Sequence, residues 1–256
     1  MMRRLSGLAI LACAMAGCGN PAPPAAAPGP GATAADAAAG AAPAAGAPGS
    51  SAAAAPQVPA ALTGGGAFAS RSGQLVNPDE STMVLLYYDL AGLPLPLDRW
   101  VEDDNRVRFA PAIDKAAQRA AVRAELEAAA AAVRGAGLLR VTMAANLSDY
   151  DPTYGEFTVR ALAPSSLVTY SAFGQKVDVG FDNGLVAQTW KVPAAEAQGV
   201  RDRIGPYANV SADVLLRITG VQPGPGGGRI TTSVAEYELR NDQAGATLAR
   251  IQVPQQ

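Results

Sequence analysis

The sequence predicts an α+β domain: a mostly antiparallel β-sheet with one long helix packed on it, plus two shorter helices. Two observations carry this. Apolar residues recur at helical spacing through the first part of the globular region, most extensively over 111–134, and the period shortens to two from Leu138 onward. A third observation sets the limits. Residues 19–66 are almost wholly Ala, Pro and Gly, with Asp36 their only charge. Such a segment has no large side chains to bury and does not offset its chain entropy, so it is expected to remain disordered. That leaves the 190 residues of 67–256, enough for one core and read as a single domain.

The chain opens with Arg3 and Arg4, followed by the apolar run from Leu5 to Ala16. Its length, about a dozen residues, suits an export signal. A membrane span needs roughly 20. The run ends in Met15-Ala16-Gly17-Cys18, which resembles the lipobox of bacterial lipoproteins. The resemblance implies that residues 1–17 are a signal peptide removed before Cys18, and that Cys18 carries acyl chains such as palmitate. Gly19 stands where Asp would hold such a protein in the inner membrane, so the implied destination is the outer membrane, facing the periplasm. Cys13, after Ile10-Leu11-Ala12, is a rival site that leaves a shorter apolar run. These are the only two cysteines, so a domain over 67–256 is held by its core without disulfides. Residues 18–66 then form a lipidated tether. Fully extended it reaches at most about 160 Å. As a Gly-rich coil its mean span is nearer about 40 Å.

Within 67–256 the elements follow in order. Asn77-Pro78, with Asp79 and Glu80, reads as a helix start, and Met83, Leu86, Tyr87 and Leu90 recur on one helical face up to Gly92. Pro111 begins the longest helix, closed by Gly135. Ile113, Ala117, Ala120, Ala124, Ala128 and Ala131 share one of its faces, and Val122, Leu126, Ala129 and Val133 share nearly the opposite one. The alanine face is expected to lie close against the sheet. From Leu138, alternation marks strands over 139–145, 157–161 and 167–173. Asn183-Gly184 predicts a type I′ turn in a hairpin over 176–190. A short helix over 194–204 follows Pro193, and three strands, 212–221, 229–240 and 246–253, complete the domain. In the middle one the apolar phase changes at Val234 and Ala235, which predicts a β-bulge there.

Chemistry is narrowed by what the chain lacks. It contains no histidine, so no Ser-His or Cys-His nucleophile and no His-ligated metal can be built. No G-x-S-x-G elbow, P-loop or strand-linked G-x-G-x-x-G occurs. Net charge is −2, becoming −4 once Arg3 and Arg4 are removed, and no basic run marks a nucleic-acid footprint. No cofactor, metal or catalytic residue is assigned. Carboxylates remain: Asp149, Asp151, Glu156 and Asp182 are the candidates for a glycan-cleaving pair, which needs two acids facing one bond. Asp149 and Asp151 are more simply turn residues. An EF-hand starting at Asp149 fails, because Tyr154 replaces the required glycine and Arg160 the bidentate acid.

Ser148-Asp149-Tyr150-Asp151-Pro152-Thr153-Tyr154-Gly155-Glu156-Phe157 resembles the Tyr-Asp…Gly-x-Phe segment of an uncharacterised domain carried by exported bacterial proteins and lipoproteins. The resemblance spans 105–162, departs at Pro152, and implies no activity. Tyr87, Tyr88, Trp100, Tyr150, Tyr154, Tyr170 and Trp190 could line a sugar-binding surface, although aromatics at such spacing more often fill a core. The expectation is therefore an envelope lipoprotein displaying a non-catalytic binding or accessory domain. It would meet the membrane through the lipid on Cys18, and an envelope protein or peptidoglycan through its fold. A carboxylate-dependent enzyme acting on cell-wall glycan is the alternative.

Overall fold

The computed structural model describes residues 62–63, 68–205 and 209–255. The expected signal peptide over 1–17 and the expected acylation site Cys18 lie outside the described residues, as does all of 19–66 except Leu62–Thr63, which pairs as a short strand. In chain order the strands are β1 (Leu62–Thr63), β2 (Gly73–Val76), β3 (Ala136–Ala144), β4 (Glu156–Thr158), β5 (Leu167–Ala172) and β6 (Gln175–Phe181). They continue with β7 (Thr189–Lys191), β8 (Val210–Gly224), β9 (Gly227–Asn241) and β10 (Ala246–Gln252). The helices are α1 (Glu80–Ala91), α2 (Leu97–Asp103), α3 (Asn105–Arg108), α4 (Lys115–Ala132), α5 (Gly184–Ala187) and α6 (Ala194–Ile204).

The long β8–β9 hairpin is the centre of the sheet. Its outer flanks are each shared by two strands: β3 and β1 pair with β8, while β6 and β10 pair with β9. β2 extends the sheet beyond β3 and β5 extends it beyond β6, and β4–β7 form a separate ribbon. The class is α+β, as expected, but the sheet is mixed. β2 runs parallel to β3, and β6 runs parallel to β9. Parallel neighbours need a crossover. For β2 and β3 that crossover contains α1 to α4, which is where most of the unforeseen helix content lies.

The long helix is not the one on the sheet. α1 lies against β5, β6, β8 and β9, whereas α4 packs on α1, α2 and α3. The residues of α4 that turn inward are Val122, Leu126 and Ala130, with Val133 just beyond its end. Ala117, Ala120, Ala124, Ala128 and Ala131 all face solvent, and Ile113 is 89% exposed. The expected sheet-facing alanine surface is thus the outside of the molecule. Branched Val and Leu bury more apolar area than Ala, so they win the interior when two apolar faces compete. Ion pairs flank the seam, joining Arg119 to Glu102, Arg123 to Asp98 and Arg106 to Glu125.

α1 begins two residues later than Asn77-Pro78 implies. Asp79 is its N-cap and accepts from the Thr82 N–H at 2.7 Å. Asn77 instead adopts a positive φ of 42° and ties β2 to β3, its side chain accepting from the Thr142 N–H at 2.8 Å. Gly92 closes α1 in the left-handed region, and Met83, Leu86, Tyr87 and Leu90 are all buried.

The hairpin expected over 176–190 does not form. β6 is turned from β5 by Phe173-Gly174, whose φ values of 53° and 69° fit a type I′ turn. Asn183 has φ −103° and precedes α5; its side chain donates to the Val234 carbonyl and accepts from the Val234 N–H. It pairs with β9 as another strand would. Gly184 is required by packing rather than by a turn, since a Cβ there would sit 2.6 Å from the Leu162 carbonyl oxygen. β7 consequently pairs with β4. The expected bulge is present: Leu215 faces Glu236 while Leu216 faces Val234, leaving Ala235 unpaired in that register.

Candidate functional site

The four sequence-derived carboxylates do not converge. Asp151 accepts from the N–H groups of Thr153 and Tyr154 at 2.8 and 3.3 Å, the bonding of a turn residue. Glu156 is ion-paired with Lys191 across the β4–β7 ribbon. Asp182 accepts from the Thr219 hydroxyl at 2.7 Å, on the β6–β9 side of the sheet. Asp149 lines a cavity that the other three do not reach.

That cavity, about 790 Å³, lies between the segment after β3 and the C-terminal end of α6. Asp149, Asp202 and Asp242 share it with Arg201, above a floor that includes Tyr150 and Phe157. Asp202 accepts from Gln198 and Asp242 from the Ser211 hydroxyl, so both already hold a partner. Arg201 has no ion pair among the described residues; its guanidinium lies over the Tyr150 ring, 5.7 Å from the centroid. Tyr150 is itself fixed, donating to the Val192 carbonyl at 3.0 Å. Asp202 and Asp242 carry no sequence signal linking them to Asp149, because the fold alone brings them together. The arrangement is a groove whose lining mixes these charged groups with apolar Leu147, Ile204 and Val210.

The aromatics are structural. Trp100, Tyr87, Tyr150 and Trp190 are buried, Tyr88 and Tyr170 are half-buried, and Tyr154 alone of the seven is exposed, at 68%. They form two runs. Tyr150, Phe157 and Trp190 stack beneath the groove with centroids 5.2 and 5.1 Å apart. Tyr87, Tyr88, Trp100 and Phe173 continue in edge-to-face and stacked contacts under the β5–β6 turn. The expected sugar-binding surface is therefore mostly core.

The second candidate is β5 itself. It pairs with β6 on one side and has no strand on the other among the described residues. A two-residue turn closes on a hydrogen-bonded pair, here Ala172 and Gln175, and such pairs alternate along antiparallel strands. Tyr170 and Val168 therefore bond inward to β6, and the N–H and C=O groups of Leu167, Thr169 and Ser171 point outward. The same three side chains are exposed, while Val168, Tyr170 and Ala172 are half-buried on the face that α1 covers. An open edge of this kind accepts an additional strand. Sequence reasoning placed the strand but had no means of telling that it ends the sheet.

No family model matches the chain, and neither a curated protein nor a solved structure matches it.

Proposed function

We propose that the chain is an exported lipoprotein, anchored through acyl chains on Cys18, whose folded domain is a non-catalytic binding module acting through the open edge of β5. The anchor rests on the lipobox-like ending and the Ala/Pro/Gly segment that follows it. Gly19 makes the periplasmic face of the outer membrane its location. The binding reading is carried by one observation: an uncharged six-residue edge strand, paired with β6 on one side only among the described residues, backed by α1 and pinned by a tight turn. Main-chain groups there supply affinity without any catalytic residue. Envelope proteins and peptidoglycan peptides are the partner classes within reach of a lipid-anchored tether. The resemblance of Ser148–Phe157 to an exported domain agrees with this setting.

A second reading draws on the groove. Asp149 with Asp202 and Asp242 would suit a carboxylate-dependent enzyme working on cell-wall glycan. Two measurements separate the readings. In-cell crosslinking of the full chain, followed by mass spectrometry, should place crosslinks on residues 166–172 and lose them in Thr169→Pro. Isolated peptidoglycan incubated with the protein should release no soluble glycan. Release that disappears in Asp149→Asn would replace the binding reading with the enzymatic one. Acyl labelling should vanish in Cys18→Ala, and label persisting on that variant would remove the anchor.

A further inference from the structure

We propose that two copies of this chain join edge to edge through β5, antiparallel about a two-fold axis at Thr169, so that their sheets become one. The inference rests on the binding reading above and names the partner of that site. Its first support is that the edge lacks the protection other edges carry. β10 presents Arg250 and a register irregularity between Thr247 and Ala249. β2 has four residues and its own irregularity, and β1 has two. β5 is Leu-Val-Thr-Tyr-Ser-Ala, with neither charge nor proline and an unbroken register along β6. Folded proteins guard long open edges with Lys, Pro or bulges, because an unguarded edge recruits further strands.

The second support is neutrality. A two-fold interface sets every group against its own kind or a neighbour in the same strand, so any charge on β5 would oppose its own copy at short range. None is there. The nearest charged side chains on β6, Lys176 and Asp178, already pair with each other at 3.5 Å. The third support is register. Outward backbone groups belong to Leu167, Thr169 and Ser171, so hydrogen bonding joins this odd-numbered set to itself. Centring on Thr169 places Thr169 against Thr169 and Leu167 against Ser171 on the exposed face. On the α1 side, half-buried Val168 meets Tyr170 of the second copy. Threonine pairs and pairs of β-branched with aromatic residues are both favourable across strands. The arrangement also closes: it consumes both β5 edges and leaves none to propagate.

Sedimentation velocity of the purified full-length chain, beside Thr169→Pro and Thr169→Lys, tests this. Proline at 169 removes an outward N–H and the hydroxyl that donates to Asp178 at 2.7 Å, while β6 stays held through Val168 and Tyr170, and lysine places like charges at the axis. Circular dichroism melts confirm that both variants are folded. The wild type should sediment as a dimer at concentrations where both variants are monomers. Amide exchange at 167 and 171, and at 169 wherever that residue keeps its N–H, should be slow in the wild type and fast in the variants, with 168 and 170 slow in all three. A monomeric wild type at every concentration, or folded variants that remain dimers, overturns the proposal. If the wild type is monomeric but its in-cell β5 crosslinks still vanish in Thr169→Pro, self-pairing falls and the binding edge stands. If those crosslinks are absent as well, both fall.

Discussion

Phe173 carries two opposed effects in one residue. Its φ of 53° is a conformation that costs an L-residue about 1 kcal/mol, while its ring stacks on Trp100 with centroids 4.5 Å apart. Replacing it therefore separates the two. Phe173→Ala loses the stack and keeps the strain; Phe173→Gly loses the stack and relieves the strain. The glycine variant should be the more stable by about 1 kcal/mol in urea unfolding, the reverse of the usual order in a strand. A second pair of residues isolates the worth of a buried hydroxyl. Tyr87 donates to the Gly227 carbonyl at 2.7 Å, and its ring fills the space that a Cβ on Gly228 would need. Tyr237 is as deeply buried, but its hydroxyl has no partner among the described residues, and burial pushes its phenol well above the ordinary value. Tyr87→Phe should cost about 1 to 2 kcal/mol, whereas Tyr237→Phe should cost nothing or stabilise. Equal losses in both would contradict the hydrogen-bond assignments.

At the scale of elements, α4 shows what its sequence could and could not decide. Both of its apolar faces are visible on a helical wheel, and so are its limits: Gly135 lies just past its end with φ 74°. Which face turns inward depends on where α1 to α3 lie, and no local pattern records that. The orientation is directly testable. Ala124→Lys should change stability by less than about 0.5 kcal/mol. Ala130→Lys, introducing a charge on the inward face, should cost several times more, and comparable effects from the two would reverse the helix. Asn183-Gly184 illustrates a different limit. The pair favours a type I′ turn, yet two hydrogen bonds between the Asn183 side chain and the Val234 backbone, one donated and one accepted, outweigh that preference, and Val234 is distant in sequence. At the start of α1, hydrogen bonds from Thr82, chiefly from its backbone N–H, hold the Asp79 carboxyl below its ordinary value. A depressed folded value means that the contribution is complete above the unfolded carboxyl value, about 3.9, and is lost as pH falls through the folded value. Asp79→Asn keeps a capping oxygen without the titration. Its stability deficit against the wild type should be largest near about pH 6 and shrink below about pH 4. A deficit independent of pH would show that the charge contributes nothing.

The whole molecule is a lesson in which contacts a linear pattern carries. β8, β9, β10 and the bulge at Ala235 are legible because each is a local alternation or a local break in one. The parallel pairings of β2 with β3 and of β6 with β9 are not, since they join residues separated by whole helices or hairpins. The groove containing Asp149, Asp202 and Asp242 was hidden for the same reason: its three acids come from three separate elements. The position of the β8–β9 hairpin also has a consequence for the order of events in the chain's life. β2, β3, β5 and β6 all precede it in synthesis, yet each needs it, directly or through a neighbour, to complete the sheet. Until residues 210–241 emerge, the earlier strands have no central partner, and folding waits on long-range closure. Export across a membrane in the unfolded state, as proposed for this chain, would gain from such a delay. Ending the chain at Gly224 should leave the remaining residues open to protease throughout, while the full chain yields a resistant domain. The central hairpin would then act as a timer on folding as well as its scaffold.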